Sequence, residues 1–152
     1  MPGRSGSLIA MNESASSPAL LPRRVVVGLD ASEESLAALD WALALVTALG
    51  ARLIVVHGVG LLEEGGYRRR PDIDRFVVAA RRRAGDPTDV DIDVVLEDGP
   101  AADVVVRVTE REEAGLIVVG SRGMGQAPRL LGSVSEAVLS HAHVPVLIIP
   151  RP

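Results

Sequence analysis

Residues 116–150 read LIVVGSRGMGQAPRLLGSVSEAVLSHAHVPVLIIP, and the fold turns on this stretch. Leu116 to Val119 are consecutive aliphatics, the pattern of a strand buried on both faces. Four glycines, Gly120, Gly123, Gly125 and Gly132, punctuate the segment that follows. A helix is predicted from about Val134 to Ala142, with Ser133 and Glu136 in the S-x-x-E spacing of a capping box. Val146 to Ile149 then form a second aliphatic run. Parallel strands need crossover connections of this kind, so the segment reads as strand, helix and parallel strand.

The same alternation continues toward the N-terminus. Val25-Val26-Val27-Gly28-Leu29 is a buried strand, and Ser32 sits where a helix N-cap belongs, followed by Glu33 and Glu34 in the first turn. That helix reaches Leu49, with Leu36, Leu39, Leu43 and Val46 along one face and Gly50 as its left-handed end. Leu53 to Val56 give a second strand, and Ile73–Arg83 a second helix. Ile92, Val94 and Leu96 alternate with Asp91, Asp93 and Val95, as in a half-exposed edge strand. Pro100 to Ala114 form a third helix. The order βαβαβαβαβ predicts one α/β domain over residues 23–152, a parallel sheet with helices on both faces. Residues 1–22, small, polar and proline-punctuated, are read as a disordered tail.

Composition removes several functions. The 152 residues contain no cysteine, which excludes disulfides and Cys-ligated metals. All 16 basic residues are arginine, so a Schiff-base lysine and a lysine-bearing phosphate loop are excluded for this chain. Only Trp41, Tyr67 and Phe76 are aromatic, too few for a base-stacking platform. With a net charge of −4, nucleic acid is an unfavoured partner. Arginines cluster at 68–70 and 81–83, but between Glu63 and Asp89 seven arginines face six acids, the balance of a solvated face. No run is long enough to span a membrane, and Leu8 to Met11 is too short for a secretory signal, so the chain reads as cytoplasmic.

Ligands in open α/β sheets bind beyond the carboxyl ends of strands where the strand order reverses. Asp30 lies just past the first strand. Gly120-Ser121-Arg122-Gly123-Met124-Gly125 lies just past the fourth, and Gly132-Ser133 opens the next helix. Such glycines serve a ligand or only a tight turn, and from spacing alone the two readings stand level. His57 is read as making local hydrogen bonds. His141 and His143, with no clustered carboxylate, make a poor metal site. No nucleophile–base pair is visible.

The stretch GSRGMGQAPRLLGSVSEAVLSHAHVPVLIIP resembles the C-terminal signature of the universal stress protein family, and VVVGLDASEES resembles that family's first strand and loop. The likeness runs from Arg24 to Pro150. It implies a Rossmann-like sheet of order 3-2-1-4-5 and, in the family's ATP-binding branch, a G-x2-G-x9-G-[ST] motif. On that pattern Gly120 and Gly123 approach ribose and phosphates, while Gly132, Ser133 and Val134 hold phosphate. Asp30 lies beside the adenosine, Gly58 gives main-chain contacts to adenine, and Gly28 and Val119 complete the strand ends around the ligand. The implied ligand is ATP, with or without Mg²⁺, and the implied assembly is a homodimer through the fifth strand. Here the motif is G-x2-G-x8-G-S, one residue short, with Pro128 inside it. The resulting expectation is an ATP-binding stress-response regulator. The alternatives are a nucleotide-free dimeric interaction module and a slow ATP hydrolase.

Overall fold

The computed structural model describes residues 20–59, 72–122 and 131–152. Apart from Leu20 to Pro22, the expected tail lies outside them, as do Gly123, Pro128 and the arginines at 68–70. The elements are β1 (Arg24–Gly28), α1 (Glu33–Leu49), β2 (Arg52–Val59), α2 (Ile73–Arg83), β3 (Ile92–Asp98), α3 (Ala101–Arg111), β4 (Leu116–Gly120), α4 (Ser133–His141) and β5 (Val146–Ile149). The strands form one sheet of order β3-β2-β1-β4-β5, parallel throughout. This is the α/β architecture and strand order expected, with β3 and β5 as its edges.

The aliphatic runs are central because both of their faces are covered. Val25, Val27, Leu53, Val55 and Val118 turn toward α1 and α2 and pack with Leu39, Leu43, Val46, Ile73 and Val77. Val26, Ile54, Val56, Ile117 and Val119 turn the other way, onto Val104, Val105 and Val108 of α3 and Val138 of α4. Successive strand residues point to opposite faces, so one strand supplies both cores. Each fully buried aliphatic side chain stabilises the fold by about 1.5–3 kcal/mol before entropy is counted.

Helix ends follow local chemistry. Ser32 Oγ accepts from the Ser35 amide at 3.2 Å, and Gly50 closes α1 at φ 62°. Asp72 caps α2 by accepting from the Arg75 amide. The ends of β2 and α3 differ from expectation. β2 runs three residues past Val56, because β3 pairs with it as far as Val59↔Asp98. α3 stops at Arg111, short of Ala114, since Glu113 turns left-handed (φ 51°) and the Ala114 amide reaches back to the Thr109 carbonyl. Surface charge is largely paired: Arg83 meets Asp40, Arg52 meets Asp93, and Arg81 meets Asp86. On α3, hydrogen bonds from Arg111 and then Arg107 hold the Glu97 carboxyl below the usual carboxylate range.

Candidate functional site

The strand order reverses between β1 and β4, and a cleft opens over their carboxyl ends. Gly28, Leu29 and Asp30 form its floor. His57, Gly58, Ala101 and Val105 make the wall on the β2–α3 side, and Gly120, Arg122, Val134 and Ser135 the wall on the β4–α4 side.

The β1–α1 turn fixes Asp30. Its Oδ1 accepts from the Ser32 amide at 2.9 Å and from the Ser32 hydroxyl, while the Asp30 amide donates to Ser35 Oγ at 3.2 Å. To bring these groups together, Ala31 takes a left-handed conformation at φ 67°. For a residue with a Cβ this costs about 1–2 kcal/mol. Ala31→Gly removes that strain and adds some unfolded-state entropy. We expect a net gain of about 0.5 kcal/mol, read as a thermal midpoint about 2 °C higher. A lower midpoint would mean that the Ala31 methyl contributes packing worth more than the strain.

Two glycines are required by close approach. A Cβ on Gly120 would lie 2.7 Å from the Glu34 carbonyl carbon and 2.9 Å from its oxygen. A Cβ on Gly58 would lie 2.7 Å from the Ala101 Cα. Their bareness lets the starts of α1 and α3 close down on the sheet, so the first contact each one permits is protein to protein. Both glycines shape the cleft by packing it.

At α4 the expected Ser133–Glu136 capping box is replaced by a different arrangement. Gly132 is the N-cap residue, and the helix begins one residue earlier than expected. Ser135 Oγ accepts from the Gly132 amide at 3.1 Å, while the hydroxyl lies 2.9 Å from the Ser121 carbonyl. The Gly132 amide also donates to Ser121 O at 2.7 Å. With the end of β4 tied to this turn, Ser135 takes the third helical position that the box had given to Glu136.

Of the residues singled out in the sequence, Gly28, Asp30, Gly58, Val119, Gly120 and Val134 line the cleft. Gly132 and Ser133 stand beside it at the start of α4. His57 makes the local bond expected, 2.6 Å from Nδ1 to the Leu29 carbonyl, and also lines the cleft. His141 and His143 face different partners, the Ala137 carbonyl and Glu110. Sequence reasoning assigned no role to Arg122, Ser35 or Ser135. Arg122 alone had a signal, as the one cation inside the GSRGMG loop.

A parallel sheet of order 3-2-1-4-5 with a cleft at its switch point defines a doubly wound, Rossmann-like α/β domain. Residues 22–150 match the sequence model of the universal stress protein family, and the chain belongs to that family. It is 36% identical over 143 residues to Universal stress protein Rv2623 of Mycobacterium tuberculosis, covering 82% of this chain but 46% of that protein. The chain thus spans under half the length of that relative. A universal stress protein of Thermus aquaticus is 32% identical over 137 residues, covering 84% of this chain and 98% of its own. Among solved structures, a universal stress protein in complex with cAMP superposes with a TM-score of 0.66 at 32% identity, over 86% of this chain and 98% of that one.

Proposed function

We propose that the protein binds an adenine nucleotide, ATP foremost, in the β1–β4 cleft and acts as a stress-response regulator whose state depends on that ligand. The observation that carries this reading is the convergence of Asp30, Gly120, Arg122 and Val134 on one concave site at the topological switch point. A relative at 32% identity is described in complex with cAMP, which makes adenine nucleotide the ligand class to test.

The residues suit such a ligand by chemistry. The Asp30 carboxylate, pinned through Oδ1, accepts from hydroxyl or amino donors at the nucleoside end. The wall of Gly58, Val105 and Ala101 is uncharged, which suits a purine face. Gly132, Ser133 and Val134 begin a helix whose positive end favours phosphate. Among the described residues no group of three or more His, Asp or Glu gathers to hold a metal. Any Mg²⁺ would therefore be held mainly by phosphate oxygens and water, with Asp30 the one carboxylate among the described lining residues.

Turnover is expected to be slow or absent, since phosphoryl transfer uses several charge clamps and Arg122 is the one arginine among the described lining residues. A dedicated kinase runs at about 1–100 s⁻¹, and steady-state phosphate release in that range would favour the hydrolase alternative instead. The direct test is calorimetric titration with ATP, AMP and GTP. Both adenine nucleotides are expected to bind, and Asp30→Asn, which keeps the Oδ1 acceptor but removes the charge, is expected to weaken ATP about tenfold. No heat from either adenine nucleotide would leave the nucleotide-free interaction module as the better reading.

A further inference from the structure

Among the described residues Arg23, Arg75 and Arg82 have no carboxylate partner but are exposed, and the other arginines besides Arg122 are paired. Arg83 meets Asp40, Arg107 and Arg111 meet Glu97, and Arg151 meets Glu33. Arg122 is half-buried in the cleft wall, and among the described residues no carboxylate, carbonyl or hydroxyl partners it. A guanidinium withdrawn from water without a counter-charge is unfavourable, and an anionic ligand removes that penalty.

The rest of the cleft says where the anion goes. The floor offers the Asp30 carboxylate, whose oxygens accept rather than donate. On the β2–α3 wall, the His57 Nδ1 faces the Leu29 carbonyl at 2.6 Å, and a carbonyl only accepts, so that nitrogen carries the proton. The β4–α4 wall holds the one permanent cation among the described lining residues, beside the positive end of nine-residue α4. Gly132 and Ser133, where outer phosphates would run, stand outside this lining, whereas Arg122 is part of it.

We infer that Arg122 recognises the sugar-linked phosphate of the ligand, so that one guanidinium sets the preference for a nucleoside phosphate over the free nucleoside. This rests on the adenine-nucleotide reading and adds to it the residue that reads the first phosphate. The planar fork of arginine can place two parallel N–H donors on one phosphate, an arrangement lysine cannot reproduce.

The test is titration of wild type, Arg122→Gln and Arg122→Lys with adenosine and with AMP. With no described partner to lose, both variants are expected to melt within about 2 °C of wild type. Arg122→Gln is expected to weaken AMP roughly tenfold to a hundredfold, the worth of charge-assisted hydrogen bonds, and to leave adenosine within about twofold. Arg122→Lys should fall between, because it keeps charge and loses the fork. If wild type binds both ligands and Arg122→Gln weakens neither, or both equally, the Arg122 assignment is wrong while the nucleotide reading stands. If wild type binds neither, the nucleotide reading fails and this assignment with it.

Discussion

Gly120→Val is expected to lower the thermal midpoint by about 6–12 °C, the largest loss of stability foreseen for a single change in the cleft. The reason is the seam between β4 and α1. An ideal Cβ at Gly120 already lies 2.7 Å from the Glu34 carbonyl carbon, 2.8 Å from its Cβ and 2.9 Å from its oxygen. Two of these atoms are backbone, at the start of a helix whose other turns are locked by Leu39, Leu43 and Val46 in the core. Neither β4 nor α1 can retreat without opening buried packing. Overpacking of this kind costs about 3 kcal/mol, and each kcal/mol moves the midpoint of a chain this long by about 2–4 °C. Gly28→Ala is the control: its added Cβ meets only the methyls of Val105 and Val119 at 3.3 Å, and side chains give way more readily than backbone. Differential scanning calorimetry of both variants checks the argument, and a Gly120→Val midpoint within 2 °C of wild type would show that α1 shifts freely on the sheet.

That result also bears on how glycine motifs are read. Gly120 stands in a sequence pattern associated with ligands, yet its missing Cβ is demanded by Glu34 before any ligand arrives. Loss of nucleotide in a Gly120 variant is therefore poor evidence for contact. Arg122 and Asp30 make cleaner probes, because their changes leave the β4–α1 seam intact.

The central strands were legible in the sequence because parallel strands covered on both faces must be aliphatic throughout, as Val25 to Val27 and Leu116 to Val119 are. Their order was not legible from periodicity, which carries no information about which strand neighbours which; it came through resemblance. Boundaries failed where a tertiary partner decided them. β2 extends to Val59 because β3 is there to pair with it. The α4 cap moved to Gly132 because Ser135 is drawn to the Ser121 carbonyl. Ala31 carried no signal of its left-handed turn, since alanine is not a residue that favours it. Arg122 was visible as a residue but not as a site, because the lack of a counter-charge is a property of its surroundings.

Leu147→Arg is expected to convert a homodimer into a monomer. The dimer is a proposal that rests on the outer side of β5. Among the described residues Val146–Ile149 pairs with β4 on one side only, which leaves a row of backbone donors and acceptors along its outer edge. The strand carries no charge, the usual guard of such an edge. Leu147 is 36% exposed, and Trp41 on α1, which lines the same groove with Ala37 and Ile149, is 61% exposed. A two-fold axis beside β5 would pair it antiparallel with its twin and cover both side chains at once, since an isologous contact uses the same patch twice. Pro145, lacking an N–H, precedes the strand where no ladder bond is needed. Arginine at 147 enters the contact twice, and like charges facing across an interface cost several kcal/mol. Light scattering should give a wild-type mass of two chains of 16.0 kDa and a variant mass of one. Trp41, the only tryptophan, supplies a second measurement: its emission should shift to the red when wild type is diluted into monomer and start there in the variant. Wild type that scatters as one chain at all concentrations, with Trp41 emission already that of a solvated indole, would leave the β5 edge without a partner and the dimer refuted.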